Sequence, residues 1–376
     1  MVVSDSAPGE PPQNPRPEGR LAPQWRELLE MRPYDRDHWA ALRVGLATAI
    51  PLVTLWATGR SDLALFAVFA AFTSVYGRNF PHVSRLRLQL IAGGAQLLSI
   101  AVGGAIALSP HRTLLVIPIA ALWAFGASLL ADRVRWTPPG PMFQVFTLAA
   151  VAFVPLRPEV YGQGLAVAVA SIALALLIGY VGRLIWRAHE GRLRNPYLKP
   201  IVVPPHDGGH FGHATLFLVG AFVAGAIPAL IGIGHPYWAM VSGVAALSAP
   251  SGRHRVLRAT QRFVGTLIGL GLGALLLLAH PSGFAAIILV VLLQAGAEFV
   301  VVRNYSLALA LLTPLVLVLG ELGGPQPIGP LIWQRGVETF IGAAVAVVIA
   351  AVIALFGPRF GERKRGGNGG ADSIRS

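Results

Sequence analysis

The chain reads as an all-α polytopic membrane protein of about twelve transmembrane helices, arranged as two parallel six-helix repeats. Three observations predict this. Of 376 residues, 54% are hydrophobic and only 12% are charged, about half the charged fraction usual for a soluble protein of this length. The basic residues cluster in alternate connections between apolar runs and occur singly, if at all, in the others. The two halves also share features at matching positions.

The apolar runs fall at residues 41–57, 63–76, 86–108, 113–131, 141–156 and 164–186, then at 214–233, 237–249, 259–279, 283–302, 304–320 and 331–356. Their Gly and Pro content would weaken soluble helices, but spanning helices tolerate both. Between the runs, Arg60, Arg112 and Arg157 stand alone in their connections. Arg78, Arg85 and Arg87 cluster in another, as do Arg133 and Arg135, and Arg253, Arg255, Arg258 and Arg262. Short Lys/Arg-rich loops stay on the cytoplasmic side, so the pattern predicts cytoplasmic termini and an even number of crossings.

Pro51 and Pro228 each sit late in the first run of a half. Gly93, Gly94, Gly103 and Gly104 in one third run correspond to Gly265, Gly269, Gly271 and Gly273 in the other. Six crossings return the chain to the same side, which makes the repeats parallel, about an axis along the membrane normal. The spacing Gly265-x3-Gly269-x3-Gly273 predicts a stripe for close helix packing. The second and fifth runs of each half are short for a hydrocarbon core of about 30 Å. They either recruit flanking residues or end inside the protein.

The predicted organisation is a disordered tail at 1–38, with an amphipathic helix expected from Trp25 to Trp39, and a first membrane half at 39–187. A cytoplasmic linker at 188–212, a second half at 213–357 and a basic tail at 358–376 follow. The net charge of +13 belongs to topology rather than to nucleic-acid binding. Cysteine is absent, which excludes disulfides and thiol chemistry. His206, His210 and His213 with Asp207 have a spacing that a metal can use, but their Gly-rich setting predicts a solvated linker. Neither metal nor cofactor is expected. The sequence shows no nucleophile elbow, phosphate loop, zinc-protease motif or paired intramembrane carboxylates, so no enzymatic activity is predicted.

The block Tyr237-Trp238-Ala239-Met240, Pro250, Arg258, Gln261-Arg262, Gly265-Thr266 and Gly269, then Asn304-Tyr305 with Thr313-Pro314-Leu315, then Arg335, Glu338-Thr339 and Ile341-Gly342, resembles the fusaric-acid-resistance-like (FUSC) family. The likeness runs from about residue 222 to 354, and the first half follows only in hydropathy outline. It implies a bacterial inner-membrane efflux protein for aromatic or other weak organic acids. The six-helix half is also similar to the membrane part of plant aluminium-activated malate channels, which implies anion passage. Larger members carry a soluble domain that the short linker here does not accommodate.

An ionisable group inside a membrane segment is a functional candidate by default. Arg335 and Glu338, spaced i, i+3, are expected to pair on one helix face, either as a substrate site or as a structural ion pair. Glu298 has no same-face partner and is expected to snorkel or to relay protons. Arg43 is expected to be an interfacial anchor. Asn304, Tyr305, Thr313 and Gln294 are candidates for hydrogen bonding a substrate or for cementing helices. Tyr237 and Trp238 are expected in the outer aromatic belt. Arg85, Arg87, Arg258 and Arg262 would form a cationic cytoplasmic vestibule. The expected partners are membrane lipid and a small organic anion, with a homo-oligomer and an envelope adaptor left open. An anion channel built as a single-chain pseudo-dimer and a non-transporting scaffold are the alternatives.

Overall fold

A computed structural model describes residues 27–28, 30–33, 37–78, 80–154, 156–188, 209–322 and 327–365, with the side chains of 183–188, 322 and 356–365 outside the description. Among these residues the regular structure is entirely helical. The helices are α1 (Asp37–Ala57), α2 (Ala64–Ala71), α3 (His82–Ala107), α4 (Arg112–Val134), α5 (Met142–Ala152) and α6 (Pro158–Ala188). They continue as α7 (Gly209–Leu230), α8 (Tyr237–Leu247), α9 (Gly252–Leu278), α10 (Gly283–Val300), α11 (Tyr305–Leu322) and α12 (Ile328–Arg365). Eight are long and apolar enough to cross a membrane. The shorter apolar stretches are Ser61–Val75, Met142–Ala152, Tyr237–Leu247 and Tyr305–Glu321, the second and fifth runs of each half.

The short helices end inside the protein. Eleven residues of α5 or α8 rise only about 16 Å. Every residue of α8 from Trp238 to Leu247 is buried, and the turn Phe72–Val75 that follows α2 is buried throughout. Trp136 and Thr137, before α5, are buried too. Irregular backbone survives at membrane depth only where protein surrounds it. No cavity is needed to explain these breaks, because side chains fill the space.

The packing partners repeat with an offset of six helices. In the first half α3 lies against α5 and α6, α2 against α6, and α1 against α2. In the second, α9 lies against α11 and α12, α8 against α12, and α7 against α8. Other contacts join the two halves: α4 packs on α7 as α10 packs on α1, and α5 meets α8. The connections also sort into two ends. Asp37, Arg78 and Glu298 meet at one end, where His213 also approaches Asp132. At the other end Arg60 donates to Gln163, and Trp56 packs on Phe284.

The glycine stripe behaves as the spacing predicts. A Cβ at Gly265 would strike the Ser306 carbonyl of α11, and one at Gly269 would lie 2.6 Å from Thr313 Cβ. Two expectations fail near the amino end. Trp39 belongs to α1 rather than to an amphipathic helix from Trp25, because the helix starts at Asp37 and residues 30–33 are irregular. Trp25 itself lies outside the described residues. His210 and His213 stand within the first turns of α7 rather than in a linker, while His206 and Asp207 lie outside the described residues.

At Gly342 in α12, a Cβ would meet the Ala239 carbonyl of α8, whereas one at Gly271 meets nothing within 4 Å. Gly342→Ala is therefore expected to destabilise by about 1–3 kcal/mol through overpacking. Gly271→Ala should be neutral or slightly stabilising because it removes a helix-interior glycine. Thermal unfolding in detergent compares the two.

Candidate functional site

The second half encloses a cluster of cations. Arg258 and Arg262, spaced i, i+4, share a face of α9 and converge on Tyr305 at the start of α11. The Arg262 Nη1 donates to the Tyr305 hydroxyl at 2.9 Å, and the Arg258 guanidinium lies 4.5 Å from the Tyr305 ring centroid. Toward the opposite end, Arg335 of α12 lays its guanidinium over the indole of Trp238, 3.3 Å from the centroid. Arg262 is 4% exposed and Arg335 5%. Several donors here find no acceptor: Arg258 Nε, Arg262 Nε and Arg335 Nη1, together with the hydroxyls of Thr266, Ser306, Thr313 and Thr339. A buried cation normally faces a counter-charge or a polar path. This arrangement is built to accept hydrogen-bonding oxygens.

Glu338 does not pair with Arg335. Its Oε1 accepts from the His235 backbone N–H at 2.9 Å, ahead of α8, a helix whose positive dipole end favours a carboxylate. One turn earlier, Gln334 Oε1 lies 2.7 Å from His235 Nδ1. The i, i+3 spacing puts both charges on one face, but the α8 amino end draws the carboxylate and Trp238 draws the guanidinium. Trp238 is buried, not in an outer belt. It and Tyr237 join a file of rings that runs through Phe146, Phe69, Phe72 and Phe143 to Tyr76 and Trp136. Phe146 belongs to α5, so this file crosses from one half to the other.

Glu298 neither snorkels nor lacks a partner. Arg78, in the connection before α3, donates to its Oε1 at 2.8 Å and to Asp37 Oδ1 at 2.8 Å. All three side chains are largely buried. Arg43 is buried too, and its Nε donates to the Ser74 carbonyl at 3.1 Å, so it is no interfacial anchor. At the other inter-half contact His213 Nδ1 sits 2.9 Å from Asp132 Oδ2, with His210 Nδ1 at 3.5 Å from the same oxygen. These histidines serve a carboxylate contact between α4 and α7. Among the described residues no group of three or more His, Asp or Glu could hold a metal ion.

The other candidates disperse. Asn304 caps α11 by accepting from the Leu307 N–H and donates to the carbonyls of Leu28 and Glu30, so it tethers chain rather than lines a path. Thr313 is buried in the α9–α11 seam, and Gln294 is buried on α10, its Oε1 without a donor. Four arginines do not make one vestibule. Arg85 folds between α3 and α6, donating to the Gly179 carbonyl at 3.2 Å, in a cleft with His82, Gln89 and Tyr180 that holds about one water molecule. Arg87 is exposed. Sequence reasoning missed Arg78, Asp37, Asp132 and His235. The one available signal was that the connection holding Arg78 and the helix end holding Glu298 are predicted on the same membrane side.

Residues 222–349 match the family described as fusaric acid resistance protein-like, so the resemblance holds over the stretch containing the arginine cluster. The "Uncharacterized membrane protein YvaC" of Bacillus subtilis (strain 168) is 29% identical over 128 residues, which is 34% of this chain and 20% of that protein. The chain thus spans about a fifth of the length of that relative. No solved structure matches. With eight helices suited to crossing a bilayer, the chain is a multi-pass membrane protein with family features consistent with transport.

Arg78→Ala strands the buried carboxylates of Asp37 and Glu298, and breaking a buried pair from one side costs about 3–5 kcal/mol. A clear fall in detergent melting temperature is expected, partly restored when Glu298→Gln is added. Thermal unfolding of the single and double variants checks both parts.

Proposed function

We propose that the protein is a transporter that moves small organic acids across the bacterial inner membrane, with both termini cytoplasmic. The single observation that carries this reading is the set of half-buried Arg258 and buried Arg262 and Arg335, whose unpartnered donors sit among the hydroxyls of Tyr305, Thr266, Thr313 and Thr339. An anion with two or more oxygens suits such donors, since charge-assisted hydrogen bonds are the strong ones. The arginines stand on α9 and α12, which pack on each other, and so offer neighbouring stations along one seam. Aromatic acids are the favoured class on the family likeness, with Trp238 and Tyr237 beside Arg335 as ring partners.

Twelve crossings in two parallel repeats belong to the same proposal. The offset-by-six packing and the exchanged contacts α4–α7 and α1–α10 support a pseudo-two-fold axis along the membrane normal. The end that gathers Arg78, Arg133, Arg135, Arg253 and Arg303 is then the cytoplasmic one. A single-chain anion channel is the second reading, and one observation favours it. Of the acids considered for proton relay, Glu298 is committed to Arg78, and Glu338 gives one oxygen to the His235 N–H while its Oε2 stands without a partner.

Benzoate flux in proteoliposomes is expected to fall roughly ten- to hundredfold in Arg262→Ala and in Arg335→Ala, as losing a charged hydrogen bond of about 1.5–3 kcal/mol implies. The exposed Arg87→Ala should match wild type. Equal flux in all four proteins defeats the site assignment. Flux that ignores an imposed pH gradient selects the channel over coupled transport.

A further inference from the structure

The stretch ahead of α1 is fastened across the end of the second half from which α9 starts. The Arg32 N–H donates to the Arg303 carbonyl at 3.1 Å, and Arg303 Nε returns a bond to the Arg32 carbonyl at 3.2 Å. Asn304 holds the carbonyls of Leu28 and Glu30. Gln261 Nε2 donates to the Glu27 carbonyl at 3.4 Å, and Arg253 pairs with the Glu27 carboxylate. The anchoring residues are the chain neighbours of the arginine site: Gln261 precedes Arg262, and Asn304 precedes Tyr305. Leu28 is 6% exposed, so an apolar side chain is seated there as well.

We infer that residues 27–28 and 30–33 form a tethered inner gate over the Arg258–Arg262–Tyr305 site, with Glu27 as a built-in carboxylate occupying Arg253 at its mouth. The inference rests on the transport reading and adds its regulation. The fastening suits a device that opens. It consists of hydrogen bonds to backbone carbonyls and one half-exposed ion pair, each modest in net terms, while Glu30, Met31, Arg32 and Pro33 stay exposed. An arriving anion competes with Glu27 for the α9 arginines, and a ligand shifts an equilibrium by its differential affinity for the two states. Soon after, at Asp37, the chain enters the Asp37–Arg78–Glu298 cluster that joins the two halves. The gate therefore hangs from the joint between them.

The chain has no native cysteine, so single reporters are clean. With Leu28→Cys as reporter, the pair Glu27→Gln and Gln261→Ala is expected to speed modification by a soluble maleimide roughly fivefold, the upper reach of a half-exposed ion pair. It should also raise benzoate flux in proteoliposomes. As a second measurement, Glu27→Cys with Arg253→Cys, bridged by a short reducible bismaleimide, should stop flux until the bridge is reduced. Unchanged modification, faster modification without faster flux, or full flux through the bridged protein overturns the gate. Flux that depends on Arg262 but not on these residues sinks the gate alone. Flux as high in Arg262→Ala as in the parent sinks the transport site beneath it.

Discussion

A bilayer offers no hydrogen bonds to a peptide group, and that constraint orders this molecule. The second and fifth segments of each half are too short to be exposed along a full hydrocarbon thickness, and the turns that complete them expose polar backbone. Both problems are solved in one way: long helices stand outside, and α2, α5 and α8 are buried within. The glycines of α3 and α9 let these layers approach to backbone contact, Gly103 against the Leu148 carbonyl and Gly265 against that of Ser306.

Similar packing carries different chemistry in the two halves. The first half joins neutral polar groups to one another: Gln144 donates to the Tyr76 hydroxyl, and Gln96 to the Phe69 carbonyl and the Thr147 hydroxyl. The second half has arginines over aromatic rings and hydroxyls without partners. Buried oxygens without a donor stand in both halves, Gln96 Oε1 and Gln144 Oε1 in the first, Gln294 Oε1 and Glu338 Oε2 in the second, but the unpartnered guanidinium nitrogens of Arg258, Arg262 and Arg335 belong to the second. The family match falls on that half.

Local pattern carried much of this into the sequence. Helix positions follow hydropathy, the seam of α9 follows glycine spacing, and the short segments follow run length. Side-chain partners did not, because they are set by distant elements. Glu298 finds Arg78 from 220 positions away, and the i, i+3 geometry of Arg335 and Glu338 fixes a face without fixing which neighbour wins. Asn304 looked like a ligand for the same reason. A buried polar residue must satisfy its donors, and the sequence does not say whether a carbonyl of a passing segment will do so.

The exchanged contacts bear on what counts as a unit. Residues 222–349 form a recognisable block in sequence, yet in space α10 leans on α1 and α7 on α4. Each six-helix block keeps two faces shaped for a sibling, so two separate chains of this kind would complete each other only by meeting. Joining the siblings in one polypeptide fixes their ratio at one to one.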